Sequence, residues 1–322
     1  MTSPRKLEQD RTRADLASVE ALLAQLSDED VMMRLGLESR RDELIAAIQD
    51  IDAQEEHTAS AALFFGGRPV ASNRGIESEF GGIAVYKFQD LVAKLFAREV
   101  RGLGQRGVVP DKDAARLHIT NVVRGSFGFL LEEIEPQHQF VKTALKSAVD
   151  DASRLLLAFA EPNDEKFQEA VEAVDNRIVS TAREFFDLMR DSGATLRLVA
   201  GELDNSFGPQ AVARAAERAD TTQVEEAEET TEGQLGGFLP DAHLFEFNSA
   251  GPRGTIRGKV DRALSASELA EFNKRFVNVP ASAQLQVRRV RRNGNVVRES
   301  FTLLRLEPAT NDPSVSGQWH SG

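Results

Sequence analysis

A glycine triplet with dinucleotide-binding spacing is the first feature of this chain that could do chemistry. Gly102, Gly104 and Gly107 match the pattern G-x-G-x-x-G, in which glycines let the backbone approach a pyrophosphate at a helix N-terminus. That chemistry needs a strand before the motif and a helix after it. Here an amphipathic helix is predicted before the motif and a Val-Val-Pro sequence follows it. We therefore predict a loop rather than a nucleotide site.

A serine between two glycines is the second such feature. Gly125, Ser126 and Gly128 share letters with a nucleophile elbow, which instead has the spacing G-x-S-x-G between a strand and a helix. The candidate bases are the five histidines His57, His118, His138, His243 and His320. None has a spacing that points to a hydrolase, so no catalytic residue is predicted. Arg74, Arg124 and Ser126 lie near glycine-rich turns, where a small-molecule cleft would be lined by loops.

The composition gives little support to metal or thiol chemistry. The chain has no cysteine, which removes thiolate nucleophiles, disulfides and cysteine-based metal sites. The adjacent acids Glu132-Glu133 and Asp150-Asp151 point in different directions in regular structure. We therefore expect no metal and no other cofactor, and an enzyme using a metal held by distant carboxylates is the third hypothesis.

Five arginines near the C-terminus are candidates for contact with a polyanion. They are Arg288, Arg289, Arg291, Arg292 and Arg298, on either side of an Asn-Gly turn. Guanidinium groups donate paired hydrogen bonds to phosphate. Against this, Phe301 is the only aromatic residue available there for base stacking. Three roles stay open, namely pairing with acids of the same chain, an acidic protein partner, and nucleic acid.

Charge is divided unevenly along the chain. The net charge is −12 and the pI about 5.1. Residues 250–306 hold twelve basic and four acidic side chains, so this segment carries +8 and the rest of the chain −20. Residues 221–232 are strongly acidic, and we predict a solvated linker there, which could dock on the basic hairpin.

Two N-terminal helices are predicted from apolar spacing over residues 1–57. Leu16 and Leu23 lie on one stripe of the first helix, and Leu37 and Leu44 on one face of the second. A two-helix hairpin buries too little apolar surface to be stable alone. These four leucines must therefore pack on the chain's own body, or form a coiled-coil or partner interface. We take them as candidates for a homo-oligomer or protein-partner interface.

The whole chain is predicted to be α+β. Residues 58–220 form a central mixed body, with a hairpin over 61–70 and one long helix over 167–188. Residues 233–308 form a C-terminal module of order ββαββ, as a sheet or a small partly open barrel. Its strongest signal is Asn293-Gly294, and a β-bulge is predicted near Arg288-Arg289. The tail over 309–322 is predicted to be disordered.

These observations favour a binding protein over an enzyme. No apolar run approaches the length of about 18 residues needed to span a membrane, and the N-terminus lacks a secretory signal core, so a cytoplasmic location is expected. The bias of 30 Arg to 9 Lys is typical of a GC-rich bacterial genome. The leading hypothesis is a scaffold that self-associates or docks a protein partner through its helical hairpin and C-terminal module. The alternative is nucleic-acid binding through the basic hairpin.

Overall fold

A computed structural model describes residues 4–27, 30–72, 74–104, 107–123, 127–134, 141–261 and 263–309. The chain divides into two compact units, Met1–Asp220 and Thr221–Gly322. The described residues form eight α-helices and two five-stranded sheets, which confirms the α+β class. None of these helices is long and apolar enough to cross a membrane.

The first unit contains seven helices and one antiparallel sheet. In chain order its elements are α1 (Arg5–Gln25), α2 (Val31–Ala53), β1 (Ser60–Gly67), α3 (Ser78–Val100), β2 (His118–Val123), β3 (Phe127–Glu132), α4 (Ala144–Ala160), α5 (Asp164–Glu172), α6 (Asn176–Asp191), β4 (Ala194–Ala200), β5 (Leu203–Phe207) and α7 (Pro209–Thr221). A single 3₁₀ turn, Lys112–Ala115, precedes β2. The sheet order is β2-β3-β1-β4-β5.

Strand β1 lies at the centre of this sheet. Residues 60–65 are all buried, so the strand needs cover on both faces and a neighbour on each side. It pairs with β3 on one side and β4 on the other. The predicted local hairpin over 61–70 is therefore wrong. The predicted long helix over 167–188 is also wrong, because α5 and α6 are separated by residues 173–175.

The second unit is a closed five-stranded barrel with one helix. Its elements are β6 (Thr222–Leu239), β7 (Leu244–Ser249), β8 (Thr255–Val260), α8 (Ala266–Phe276), β9 (Pro280–Arg292) and β10 (Asn295–Pro308), with a 3₁₀ turn at Pro240–Ala242. The strands follow the order β10-β8-β7-β6-β9, and β8 runs parallel to β10. With its helix between the third and fourth strands, this connectivity is that of an OB-type barrel. Phe245, Phe247, Leu285 and Leu303 fill its interior.

Residues 221–232 do not form a linker, because residues 222–232 are the first eleven of the 18 residues of β6. This strand pairs with β9 without interruption from Thr222↔Arg292 to Gln234↔Pro280. The module therefore has the order βββαββ rather than ββαββ. An acidic sequence can form this strand because its glutamates lie beside basic and amide side chains of β9.

The β9–β10 turn follows the sequence prediction. Asn293 and Gly294 have φ angles of 52° and 77°, as a type I′ turn requires. The predicted bulge near Arg288-Arg289 is wrong in place. The register shifts fall on β10 instead, between Val296 and Arg298 and between Leu303 and Arg305.

Candidate functional site

The N-terminal hairpin is attached to the first unit at its base. Leu7 of α1 packs against Ala62, Phe64 and Val199 of the sheet. Gln9 Nε2 donates a hydrogen bond to Asp52 Oδ1 at 2.5 Å, which ties the start of α1 to the end of α2. The start of α1 and the end of α2 are therefore fixed on the sheet, and Gln25 of α1 and Val31 of α2 lie at the opposite end of the two helices.

The four predicted interface leucines follow the contact between α1 and α2. In the antiparallel register, Leu16 lies level with Leu44, and Leu23 lies level with Leu37. Leu44 is only 4% exposed, whereas the other three leucines are half-buried. The contact between α1 and α2, which we call the seam, is therefore only partly buried within the hairpin itself.

The far end of the hairpin exposes a group of large apolar side chains, which we call the apolar tip. It consists of Leu22, Val31, Met32, Met33 and Leu35. Met32 is 83% exposed and Met33 61%. Successive helical residues point about 100° apart, so the start of α2 is apolar around most of its circumference. A helix that is hydrophobic all round is normally buried. The periodicity of the sequence did not single out this surface.

Three of the five candidate arginines are held by glutamates of their own unit. Arg291 Nε donates to Glu225 Oε2 at 2.8 Å. Arg289 contacts Glu229 and also donates to Glu299 Oε1 at 2.6 Å. Arg288 and Glu226 lie 3.8 Å apart. The remaining two, Arg292 and Arg298, lie opposite Thr222 and Val290 in the ladders of β9.

These ion pairs shift the titration of both partners. Hydrogen bonds from Arg253 and Arg289 hold the pKa of the Glu229 carboxyl below its ordinary value of 4.5. Hydrogen bonds to Glu229 and Glu299 raise the pKa of the Arg289 guanidinium. The arginines of this surface are therefore already engaged with carboxylates.

Acidification is expected to weaken the barrel through Glu229. The pKa of Glu229 is lower in the folded state than in the unfolded chain. Its ionised carboxylate therefore stabilises the fold above the ordinary pKa, and this stabilisation is lost as the pH falls through the pKa of the folded state. We expect the loss to develop as the pH falls below about 4.5, and to reach about 1 kcal/mol at most because the pair is partly exposed. Urea unfolding at several pH values should show a shallower decline for Glu229→Gln than for wild type. The control is Glu232→Gln on the same strand, and equal slopes in all three proteins would contradict the assignment.

The outer face of β7 and β8 lacks a stacking platform. In OB-type barrels this face binds oligonucleotides or oligosaccharides. Here Arg257 donates to Glu246 at 2.7 Å across the two strands. Among the described residues of the barrel, no aromatic side chain belongs to the exposed set. Without exposed aromatic rings, this face offers little for base stacking. The OB-type fold alone does not determine function.

The other candidate motifs also have structural positions. The carbonyl oxygens of Gly104 and Gly107 accept hydrogen bonds of 2.8 Å from Arg177, and the loop leads to a 3₁₀ turn rather than an α-helix. Arg74 is exposed, whereas Arg124, Gly125 and Ser126 lie outside the described residues. Within the described part of the chain, no group of three His, Asp or Glu side chains is placed to hold a metal ion.

The likeness of the second unit to OB-type barrels rests on its strand order and on the position of α8. The apolar tip and the ion-paired barrel surface must accordingly be interpreted from their own chemistry. No protein-family model, no curated protein and no solved structure matches this chain.

Proposed function

We propose that this chain is a non-enzymatic binding and scaffold protein that self-associates through the apolar tip of its N-terminal hairpin. The observation that carries the proposal is the exposure of Met32, Met33 and Leu35 at the start of α2, where the helix is apolar around most of its circumference. Methionine-rich surfaces adapt readily to a facing surface. Their cost in water is relieved when a second molecule covers them.

A second copy of the same hairpin is the partner that fits best. Two hairpins with helices of 21 and 23 residues can pack as four helices about a two-fold axis, each tip covering the incompletely buried seam of the other. Helices of this length span roughly 30 Å, enough for an interface of about 800 Å² per partner. Residues 31–45 carry three arginines and three acids, so two copies approach without net repulsion.

Charged substitutions at the tip test this proposal. Met32→Glu combined with Leu35→Glu should convert a dimer into a monomer of 35.4 kDa, because the new carboxylates would be buried at the contact. The measurement is mass by light scattering after gel filtration over a range of protein concentrations. Ala17→Glu combined with Ala21→Glu is the matched control, since both alanines are exposed on the outer face of α1. This control should remain dimeric.

Two results would overturn self-association at the tip. One is a wild-type protein that stays monomeric up to about 100 μM, a concentration at which even weak specific interfaces are populated. The other is a tip variant that keeps the wild-type mass while its circular dichroism shows intact helices.

The barrel remains the second proposed surface, for a protein partner. The nucleic-acid alternative stays a prediction, and the ion pairs of Arg288, Arg289 and Arg291 weigh against it. Phosphate binding would make log affinity fall linearly with log salt, by roughly 0.9 per neutralised phosphate on duplex DNA. An absence of any shift with DNA or RNA at low salt would exclude it.

A further inference from the structure

A polar cleft lies at the base of the hairpin, within the first unit. It has a volume of about 570 Å³, within the range of small-molecule sites. Its walls come from α1, the segment after α2, residues 141–142 before α4, one face of α4 and the β4–β5 turn. Its central residues are Arg5, Glu56, Lys142, Lys146, Asp150 and Gly201.

Lys146 is the most buried charge in this cleft, with its side chain only 5% exposed. Its Nζ donates to Asp150 Oδ1 at 2.7 Å and lies 3.4 Å from Glu56 Oε2. Asp150 also faces Lys142, whose Nζ is 3.0 Å from Oδ2. Both oxygens of Asp150 are therefore engaged at close range, whereas the contact between Lys146 and Glu56 is the loosest in the network.

Two buried polar atoms of the cleft residues have no hydrogen-bond partner among the described residues. They are Glu56 Oε2, an acceptor, and Arg5 Nε, a donor. An ammonium group has three donors, and among the described residues the side chain of Lys146 forms a hydrogen bond only to Asp150, since its 3.4 Å contact with Glu56 Oε2 is an ion pair without hydrogen-bond geometry. Buried polar atoms normally find a partner. The network thus lacks one donor for Glu56 and one acceptor shared by Lys146 and Arg5.

The charge of the cleft restricts which ligand can supply these groups. Its lining contains the four cations Arg5, Lys142, Lys146 and Arg154 and the four carboxylates Glu55, Glu56, Asp150 and Glu202. With His57 neutral, the lining is electrically balanced. A multiply charged anion such as a nucleotide would meet as many carboxylates as cations. A ligand with one carboxylate and one ammonium group matches both sets.

Gly201 keeps the approach to the network open. Its φ is +56°, and a Cβ at this position would lie 2.7 Å from Lys146 Nζ and 3.5 Å from Glu56 Oε2. Any side chain there would therefore occupy the space beside the two unmatched groups. Because Gly201 has no side chain, the backbone of the β4–β5 turn lies directly beside the charged groups of Lys146 and Glu56.

We propose that this cleft binds a small zwitterion of the amino-acid class, with its carboxylate on Lys146 and Arg5 and its ammonium group on Glu56. The ligand would insert between Lys146 and Glu56, where the contact is longest. It would supply the missing acceptor to Lys146 and Arg5 and the missing donor to Glu56. Ligand binding at the base is independent of the self-association proposed for the tip, and the two are measured separately.

Thermal shift and calorimetry with the full chain test this site. The probes are the individual L-amino acids, each compared with the corresponding amine lacking the carboxylate and the corresponding acid lacking the ammonium group. We expect at least one amino acid to raise the melting temperature in a saturable way, and neither matched fragment to do so. Binding of a carboxylate or an amine alone as tightly as the zwitterion would overturn the proposal. So would the absence of any shift across the whole set at 10 mM or so, a concentration that exposes even weak ligands.

Two variants place the binding in the cleft. Glu56→Gln keeps the shape of the side chain and should weaken binding about tenfold or more, since a charge-assisted bond to the ammonium group is lost. Gly201→Ala should abolish binding by filling the space beside Lys146. Arg116→Gln is the control, because its exposed side chain lies outside the cleft lining, and it should bind as wild type does. Circular dichroism verifies that each variant is folded, and wild-type affinity in both cleft variants would contradict the assignment.

Discussion

Replacing Gly258 with alanine is expected to open the barrel of the second unit. A Cβ at this position would lie 2.2 Å from the carbonyl oxygen of Phe301 and 2.8 Å from the ring of Phe245. The first neighbour is backbone of β10, so it cannot rotate away. Overpacking of this kind costs roughly 3 kcal/mol, or more where backbone must move.

The position matters because β8 and β10 close the barrel through a short contact. Their ladder contains only the pairs Thr302↔Lys259 and Leu303↔Val260. Separating the strands at Gly258 removes the adjoining pairs and exposes the interior around Phe245 and Leu303. The added methyl group therefore lowers the free energy of unfolding by more than its own steric overlap, because the contact between β8 and β10 that closes the barrel is lost as well.

Hydrogen exchange of the full chain is the measurement for this variant. We expect faster exchange in β8 and β10 and unchanged protection in β1 and α4, whose core lies in the other unit. Gly36→Ala is the control, because its methyl group meets nothing within 4 Å. It should be neutral or stabilising by up to about 1 kcal/mol in a helix. Wild-type protection of the barrel amides in Gly258→Ala would refute the expectation.

Replacing Arg218 with methionine should destabilise the first unit by roughly 3 kcal/mol. Arg218 lies on α7 and is only 5% exposed. Its guanidinium donates to the carbonyl oxygens of Phe159, Glu161 and Pro162, in the last turn of α4 and just after it. The last carbonyls of a helix have no partner within the helix, and a cation there also interacts favourably with the negative end of the helix dipole.

Methionine keeps most of the volume of Arg218 but supplies no donor. It also removes the ion pair with Asp164 and the contact 5.0 Å from the centre of the Phe167 ring. Arg218→Lys should recover only part of the loss, because one ammonium group cannot serve several divergent carbonyls. Urea unfolding followed by circular dichroism measures the effect, with exposed Arg154→Gln as the control. An unchanged midpoint in Arg218→Met would show that these contacts add little.

Local features were predicted only in part, since the hairpin over 61–70 and the single helix over 167–188 were wrong, and non-local pairings were missed. The turn at Asn293-Gly294 follows from two adjacent residues with positive φ. The acidic strand β6 was predicted as a linker because its partner Arg291 lies 66 residues beyond Glu225. A run of glutamates in one segment indicates mutual repulsion. The glutamates of β6 are stabilised only because the arginines of β9 lie beside them in the fold. The centre of the first sheet was missed for the same reason, since β4 follows β1 by more than a hundred residues.

The candidate sites divide in the same way. Periodicity identified Leu16, Leu23, Leu37 and Leu44 as one apolar face, yet it cannot say how completely a neighbour covers them. The exposure of Met32 depends on where α1 ends, which periodicity does not give. In the cleft, Lys146, Asp150 and Arg154 recur every fourth residue on one face of α4, a signal that was available in the sequence. Arg5, Glu56 and Gly201 join them only through the fold.

The pairing of β6 with β9 has a consequence for synthesis of the chain on the ribosome. Strand β6 emerges first, and its partner across the whole ladder from Thr222 to Gln234 follows only after β7, β8 and α8. During that interval residues 222–232 of β6 lack their strand partner, whereas residues 233–239 can pair with β7, and an unpaired strand edge aggregates when it is apolar and uncharged. Its glutamates repel those of neighbouring nascent chains until the arginines of β9 arrive. The same carboxylates thus protect the growing chain and later complete the barrel.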